Sequence, residues 1–475
     1  MIQAKQILAL VVTLCAGLLI QVSGAQEKPN IIFIMADDLG YGQVGAYGQK
    51  DIRTPRIDQM AEQGLLLTDY YAGTAVCAPS RCSLMTGRHV GRTYIRGNYE
   101  IKATETHESG QLPIPNETVT VAEKMKEAGY ATAVIGKWGL GYPLSEGDPL
   151  YQGFDYFYGY NCQRHAHDYY PGWLWEDHEK VSLGKKDTVE GYTHYRLTEK
   201  ARGFIREHAE AEQPFFLYLA YTIPHSDIEI PASDPMVKQY AGEDWPKVQK
   251  IMAGMISRMD ADVGGINDLL KELRIDENTL VIFTSDNGPA TAGGVVRDFF
   301  DDSGPLRGIK RNMYEGGVRV PFVAKWPGVI EPGRTSDHIA AHWDLMATAC
   351  ELAGVAQPGD TDSISYVPLL KGDCEVQQAH DYVYFELHWP TKRGLRQGDW
   401  VAVQERTTTV DPNVGKIELF NLKDDLEQER DVASEYPERV EHFKRLFAAA
   451  HEPSKHFVFG KGRPNAKKKA KKKAK

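Results

Sequence analysis

The chain has 475 residues, of which 42% are hydrophobic and 25% are charged. This composition is that of a globular protein with room for one large domain and a smaller one, and it excludes fibrous and wholly disordered proteins. The formal net charge is −10, and it becomes −17 without the seven lysines of the last ten residues, AKKKAKKKAK, so an acidic body argues against nucleic acid as the main ligand.

The first 25 residues are typical of an export signal. Lys5 supplies positive charge, ILALVVTLCAGLLI is an apolar core, and the small residues Ser23 and Ala25 precede the expected cleavage site. The apolar run is short for a membrane span, and an uncleaved anchor is the alternative. We therefore expect residues 1–25 to be a signal peptide, the mature chain to have no transmembrane segment, and the protein to be periplasmic or secreted.

Short apolar strands alternate with helices along most of the mature chain. The strands lie in NIIFIMADD, YATAVIGKWGLG, PFFLYLAYTIPH and NTLVIFTSDNG, and VQKIMAGMISRMDADVGGINDLLKELRI is a long helix or a helix pair. Polar side chains follow each of the four strands where it ends: Asp37 and Asp38, Lys137, His225, and Asp286 and Asn287.

This alternation predicts an α/β fold with a large mixed, mostly parallel sheet flanked by helices. Because the site of such folds lies beyond the carboxyl ends of the strands, we expect the six polar side chains to converge there. After about Gly354 the segments DYVYFELHW, GDWVAVQERT and KIELFNLKDD, followed by a helix, predict a smaller C-terminal α+β subdomain. The predicted units are a catalytic domain at 26–360, the subdomain at 361–455 and a disordered lysine-rich tail at 456–475.

The acidic strand ends offer oxygen ligands only. Asp37, Asp38, Asp286 and Asn287 provide carboxylate and amide oxygens, which suit Ca²⁺ or Mg²⁺ and not zinc. Each motif alone is a weak signal, since DNG is more often a turn. Their position after strands of one predicted sheet strengthens the hypothesis of a metal site.

Basic or hydrogen-bonding side chains accompany these acids: Arg81, Lys137, His225 and Lys310. A divalent cation beside several basic groups suits an anion with several oxygens, phosphate or sulfate. Each residue also has an ordinary explanation, for example Lys310 as a surface lysine and His225 as a loop histidine.

The segment TAVCAPSRCSLMTGR resembles the C-x-P-S-R…T-G-R signature of the type I sulfatases. NIIFIMADDLGYG, GKWGLG, TSDNGP, GPLRGIKRNMYEGGVRVPF and ELFNLKDDLEQERDVA resemble further segments of that family, in the same order, so the resemblance covers nearly the whole mature chain. It implies an alkaline phosphatase-like fold and a sulfuric ester hydrolase, similar to arylsulfatases and N-acetylgalactosamine-6-sulfatases, whose substrate is a sulfated carbohydrate of the glycosaminoglycan or algal polysaccharide type.

The resemblance also implies that Cys77 is converted to Cα-formylglycine by a formylglycine-generating or anaerobic sulfatase-maturating enzyme. A thiol that attacked a sulfate ester would give a stable S-sulfo adduct. The hydrated aldehyde can attack sulfur with one hydroxyl and expel sulfate through the second, as the carbonyl forms again.

Individual roles follow from the same resemblance. Arg81 would hold the formylglycine, Lys137 and Lys310 would bind sulfate oxygens, and His225 would protonate the leaving alkoxide. The ligands of Ca²⁺, or alternatively Mg²⁺, would be Asp37, Asp38, the modified Cys77, Asp286 and Asn287.

One position departs from the family pattern. Gly139 stands where the family loop Gly-Lys-Trp-His-Leu-Gly has a histidine that touches the formylglycine hydrate and is a candidate base. Nearby, CQRHAHDYYPGWLW offers His165, His167, Tyr169 and Trp173 as candidates for sugar contact, and either histidine is a candidate for the missing imidazole. On an extended segment the two histidines would share a face. The alternative is a hydrophobic loop packed on the domain.

Two other functions stay open. Formylglycine also serves phosphonate and phosphodiester hydrolases of the same superfamily. A catalytically inactive protein that binds polyanions is a different class, but it predicts lost site residues, and this chain keeps the acids, Cys77 and the basic groups.

Overall fold

The computed structural model describes residues 28–104, 109–388, 391–405, 411 and 413–459. The predicted signal peptide lies outside these residues, as does the predicted tail except for 456–459. Within those four residues Phe457 and Phe459 are buried, and the boundary at 455 stays a prediction. Within the described ranges, no helix is both long and apolar enough to cross a membrane.

A mixed sheet of ten strands forms the centre of the molecule. In spatial order its strands are β13 (Arg334–Ser336), β2 (Leu65–Leu67), β12 (Phe322–Lys325), β11 (Thr279–Ser285), β1 (Asn30–Asp37), β10 (Phe215–Pro224), β6 (Ala131–Lys137), β7 (Tyr156–Tyr160), β8 (Trp173–Glu176) and β9 (Glu179–Ser182). The five strands from β11 to β7 are parallel neighbours, whereas β12, β8 and β9 run antiparallel to the strands beside them. The predicted fold class is confirmed.

Helices cover both faces of this sheet. The described helices of the molecule are α1 (Pro55–Glu62), α2 (Cys77–Thr86), α3 (Val121–Glu127), α4 (Thr193–Glu210), α5 (Pro235–Lys238), α6 (Lys247–Glu272), α7 (Glu315–Val318), α8 (Asp344–Ala353), α9 (Val367–Lys371) and α10 (Pro437–Ala450), of which α10 packs on the C-terminal sheet described below. Helices α2, α3 and α8 contribute to one core and α1, α4 and α6 to the other. The long segment that the sequence left as one helix or two is the single helix α6.

Strand β1 shows why the central strands are almost uniformly apolar. Its side chains alternate between the two cores, Ile31 and Phe33 towards α2 and α3, Ile32 and Ile34 towards α4 and α6. Every residue of β1 is buried, as expected for a parallel strand with helices on both faces.

A four-stranded antiparallel sheet forms the C-terminal part, in the order β15 (Val383–Leu387), β16 (Lys392–Gln397), β17 (Trp400–Gln404) and β18 (Glu418–Asn421). Phe443 and Phe447 of α10 pack with Tyr384 and Leu419 of this sheet. The predicted subdomain is therefore present, while its boundary near residue 360 stays a prediction. Two small pairs complete the strands, β3 (Tyr70–Tyr71) with β14 (Ala340–Ala341), and β4 (Glu100–Ile101) with β5 (Gly110–Gln111).

Candidate active site

The predicted polar groups meet at one edge of the large sheet. Lys137 is the last residue of β6, Asp37 is the last residue of β1, and His225 directly follows β10. Asp286 directly follows β11. Since these four strands are parallel neighbours, their carboxyl ends bring side chains far apart in sequence into contact.

Helix α2 brings Cys77 and Arg81 to the same edge. Cys77 is the first residue of the helix, and its Sγ lies 3.5 Å from Oδ1 of Asp37. Arg81 follows one helical turn later and donates from Nε and Nη2 to Oδ2 of Asp286, at 3.1 and 2.8 Å. Its Nη1 donates to the backbone carbonyl of Lys137 at 2.8 Å. Arg81 therefore ties α2 to the ends of β6 and β11.

Two lysines flank Cys77 and the acids. Nζ of Lys137 donates to Oδ2 of Asp37 at 2.5 Å. Nζ of Lys310 donates to both carboxylate oxygens of Asp38, at 2.6 and 2.8 Å, and lies 3.2 Å from Sγ of Cys77. The lysine that could have been a surface residue is thus half of a buried ion pair.

His225 completes the ring of polar groups. Its Nε2 lies 3.3 Å from Oδ2 of Asp38, and its Nδ1 lies 2.9 Å from the carbonyl oxygen of Ser226. The ring is 6% exposed, so only one edge of it can reach a bound molecule. Tyr169 holds the loop that carries His225. Its hydroxyl shares one hydrogen between the carbonyls of Thr222 and His225, at 2.6 and 2.8 Å.

The acidic residues have the chemistry of a site for a hard cation. Ligand atoms of Asp37, Asp38, Cys77 and His225 lie within 4.8 Å of one another. Asn287 is fully buried, its Nδ2 donates to Asp38, and its Oδ1 has no hydrogen-bond partner in the described structure. A buried amide oxygen without a partner, next to carboxylates, fits a Ca²⁺ or Mg²⁺ ligand.

The charges of the site stabilise one another. Burial alone would raise the pKa of Asp37, but the Lys137 ammonium and its neighbours outweigh that effect and hold this pKa below its ordinary value. Burial opposes the charge of Lys310, yet Asp38 raises the pKa of this ammonium. Burial and the charge of Asp286 raise the pKa of Cys77 to about 12. At neutral pH the site therefore holds carboxylates, ammonium groups and a protonated thiol.

The two histidines of the HAH segment diverge. The residues His165–His167 form a turn of 3-10 helix, in which residues two apart point in different directions. The segment is therefore not extended, and the prediction that His165 and His167 share one face was wrong. His167 stacks on His225 with ring centroids 4.5 Å apart, whereas His165 packs on Trp173 with ring centroids 4.2 Å apart.

The structure gives the remaining candidates of this segment different environments. Tyr169 has no exposed surface, so it supports the His225 loop and offers no platform to a sugar. Trp173 is half-buried at the start of β8, with Nζ of Lys180 4.7 Å from its ring centroid. Desolvation, the charge of His225 and that of Lys137 lower the pKa of His167 to about 4, which leaves a neutral imidazole at the site.

Sequence reasoning missed two residues and one backbone conformation that shape the site. Tyr218 of β10 accepts a hydrogen bond from Arg81 at 3.2 Å. Asp38 adopts a left-handed backbone with φ of 67°, a conformation uncommon for residues other than glycine. Gln163 occupies the space beside Gly139. Only Gly139 had a signal in the sequence, as a departure from a family motif.

Comparisons with known proteins agree with this geometry. Residues 29–355 match the family model for sulfatases, and residues 308–446 match the model for the C-terminal part of N-sulphoglucosamine sulphohydrolase. The chain is 34% identical over 365 residues to N-acetylgalactosamine-6-sulfatase of Canis lupus familiaris, which covers 74% of this chain and 67% of that protein. It is also 34% identical over 392 residues to human arylsulfatase A, and this match covers 77% of this chain and 71% of arylsulfatase A. The crystal structure of Ps i-CgsB in complex with k-i-k-neocarrahexaose superimposes with a TM-score of 0.78 at 26% identity, over 94% of this chain and 97% of that one.

Proposed function

We propose that this chain, which belongs to the sulfatase family and is a sulfuric ester hydrolase, removes sulfate from carbohydrates with a nucleophile formed at Cys77. The observation that carries the proposal is the position of Cys77, with Sγ 3.2 Å from Nζ of Lys310 and 3.5 Å from a carboxylate oxygen of Asp37. A reacting group there lies between the anion-binding lysines and the oxygen ligands. The substrate class is supported by the N-acetylgalactosamine-6-sulfatase relative and by the neocarrahexaose complex of Ps i-CgsB.

The nucleophile is the hydrated formylglycine made from Cys77, for which Sγ marks the position of one hydroxyl. The hydrate supplies two hydroxyl groups on one carbon, so that the first can take the sulfo group and the second can release it. Lys137 and Lys310 bind the sulfate oxygens and neutralise their charge. Arg81 fixes Asp286 and the end of β6, so the groups around the nucleophile keep their geometry.

Two imidazoles handle protons. His225 donates a proton to the sugar oxygen that leaves as the sulfur–oxygen bond breaks. His167, stacked on His225, accepts a proton from the hydrate, in place of the histidine that the family has at position 139. Asp37, Asp38, Asp286 and Asn287 would hold Ca²⁺, with Mg²⁺ as the alternative, and the ion would supply polarisation of a bound oxygen.

The experiment measures activity on a panel of substrates. It uses protein in which mass spectrometry of the peptide that contains Cys77 has shown the loss of sulfur expected for formylglycine. Defined sulfated mono- and disaccharides are compared with phosphate monoesters, phosphodiesters and phosphonates. We expect sulfate release from at least one sugar, no release by Cys77→Ala, and none by Cys77→Ser made without a maturation enzyme that converts serine. A faster reaction on phosphodiesters or phosphonates contradicts the proposal, and so does an active Cys77→Ala variant.

Export and maturation belong to the same proposal. The N-terminal segment that motivates export lies outside the described residues, and sulfated polysaccharides are met outside the cytoplasm. A maturation enzyme of the formylglycine-generating or anaerobic type is the partner that Cys77 requires. Mass spectrometry of secreted and retained protein, made with and without such an enzyme, tests both statements.

A further inference from the structure

The side-chain amide of Gln163 is buried and has no hydrogen-bond partner among the described residues. Its side chain is 3% exposed, and neither Nε2 nor Oε1 has a hydrogen-bond partner in the described part of the chain. Burying an amide without partners costs free energy, which is why such groups are rare in folded proteins. The amide is therefore placed for a partner that arrives from outside the chain.

The position of this amide is set by Gly139. A side chain at position 139 would place its first carbon 2.1 Å from Nε2 of Gln163, so the amide would have to move to make room for it. Gly139 also has φ of +79°, which disfavours any other residue. Gln163 thus takes the space that a side chain two residues beyond Lys137 would fill, at the carboxyl end of β6.

The segment that carries Gln163 borders the site at both ends. It follows β7, whose Tyr160 carbonyl accepts a hydrogen bond from the Trp138 backbone at 2.9 Å and so holds the ends of β6 and β7 together. Four residues after Gln163, the ring of His167 stacks on His225. The amide and the imidazole are therefore two groups that one segment brings to the same edge of the sheet.

We infer that Gln163 is a substrate-recognition residue whose amide hydrogen-bonds an oxygen of the bound sulfated sugar. The inference rests on the proposed function and deepens it. An amide both donates and accepts hydrogen bonds but does not titrate. Gln163 would therefore recognise an oxygen of the substrate by hydrogen bonding and take no part in proton transfer. That oxygen belongs either to the sulfate ester or to a neighbouring hydroxyl of the sugar.

The test compares Gln163→Leu with the unchanged protein, both with verified formylglycine. Leucine is close to glutamine in size and removes an unpaired polar group, so the melting temperature is expected to stay equal or to rise. The value of kcat/KM on the sulfated sugar is expected to fall roughly ten- to a hundred-fold, the effect of losing one or two hydrogen bonds. A gain in stability with a loss of activity is the signature of a group kept for function.

Gln152→Leu is the matched control. This amide is also buried and its Oε1 likewise lacks a partner among the described residues, but its Nε2 donates to the Glu146 carbonyl at 2.8 Å, and Gln152 is not part of the site. Its loss is expected to lower the melting temperature and to leave kcat/KM unchanged. If Gln163→Leu behaves in this way, or changes neither quantity, Gln163 is a structural residue and the inference is overturned.

Binding to Cys77→Ser protein separates the two oxygens without any turnover. Inorganic sulfate, the sulfated sugar and the desulfated sugar are titrated against Cys77→Ser alone and combined with Gln163→Leu. Weaker binding of inorganic sulfate in the double variant assigns the amide to the sulfate ester, and weaker binding of the sugars alone assigns it to a hydroxyl. Equal binding of all three overturns the inference. A matured enzyme inert on every sulfate ester would instead contradict the proposed function.

Discussion

His167 and His225 give the site two imidazoles of unequal surroundings. The His225 ring is buried against Asp38, while the His167 ring is stacked on it and is the more accessible of the two. Burial lowers the pKa of His225, and desolvation is also the main reason why the pKa of His167 is lowered to about 4. A neutral ring at the entrance of the site can take a proton from a nucleophile below it.

His167→Ala is therefore expected to lower kcat by roughly 10²–10⁴-fold, the range for loss of a general base. Formylglycine content and Ca²⁺ binding should stay unchanged. His165→Ala, which removes the ring packed on Trp173, is the control and should change kcat much less. If His167→Ala keeps kcat and only raises KM, the ring binds sugar and a different group accepts the proton.

Asn287 makes the metal hypothesis testable without turnover. Chelation should lower activity, and Ca²⁺ should restore it and raise the melting temperature with its concentration. Asn287→Leu removes the unpartnered oxygen and should shift this stabilisation to higher Ca²⁺ concentrations. Restoration by zinc, with none by Ca²⁺ or Mg²⁺, would contradict a site built from oxygen ligands.

At the scale of elements, the parallel strands explain what the sequence could predict. The sequence predicts that Asp37, Lys137 and His225 lie close together, because parallel apolar strands that alternate with helices have their carboxyl ends at one edge of the sheet. The 3-10 turn at His165–His167 could not be predicted from the sequence. The spacing of two histidines two residues apart does not reveal whether the backbone is extended or helical. The contact between Gly139 and Gln163 depends on how β6 and β7 end side by side, which no local pattern encodes.

A buried ion pair fixes the segment before β15 to helix α8. Nε2 of His380 lies 2.9 Å from both carboxylate oxygens of Asp344, the first residue of α8. Burial opposes protonation of His380, but Asp344 outweighs burial and raises the pKa of the imidazole, helped by Asp362 and Asp381. The pair therefore stabilises the folded state through a histidine that is more basic when folded than when unfolded.

His380→Ala should lower the free energy of unfolding by about 1.5–3 kcal/mol, the cost of a hydrogen bond to a charged group. Because the folded pKa lies above the unfolded value of about 6.5, the charge contribution is fully present below that pH and is lost as pH rises through the folded pKa. Thermal melts of both proteins from pH 5 to pH 9 measure the difference. His380→Gln keeps a donor without charge, and a pH-dependent stability in that variant equal to the original would assign the effect to other groups.

At the scale of the whole molecule, charge is divided between an acidic body and a basic C-terminus. The last ten residues, which lie outside the described structure, contain seven lysines and no apolar residue larger than alanine. A solvated tail without a catalytic role is one hypothesis, and a tether to a polyanion is the other. The tether would be weakened by salt because exposed charges are screened.

Full-length protein and protein ending at residue 459 distinguish these hypotheses on a sulfated polymer. A tether predicts tighter binding of the full-length protein at low salt, and a difference that disappears at high salt. The rate on a small sulfated sugar should be the same for both proteins, because the residues of the candidate site lie between Asp37 and Lys310, far from the tail in sequence. Equal polymer binding at both salt concentrations excludes the tether.

The burial of α2 also has a consequence for how the protein is made. All ten residues of this helix are buried, and Cys77 at its start is 1% exposed. An enzyme that modifies Cys77 needs access to this residue and its neighbours, and the buried helix α2 of the folded protein does not give that access. Under the proposed function, conversion of Cys77 to formylglycine is therefore expected between synthesis and folding. We expect formylglycine when the converting enzyme is present while the chain is being made, and none when the purified, folded protein is treated.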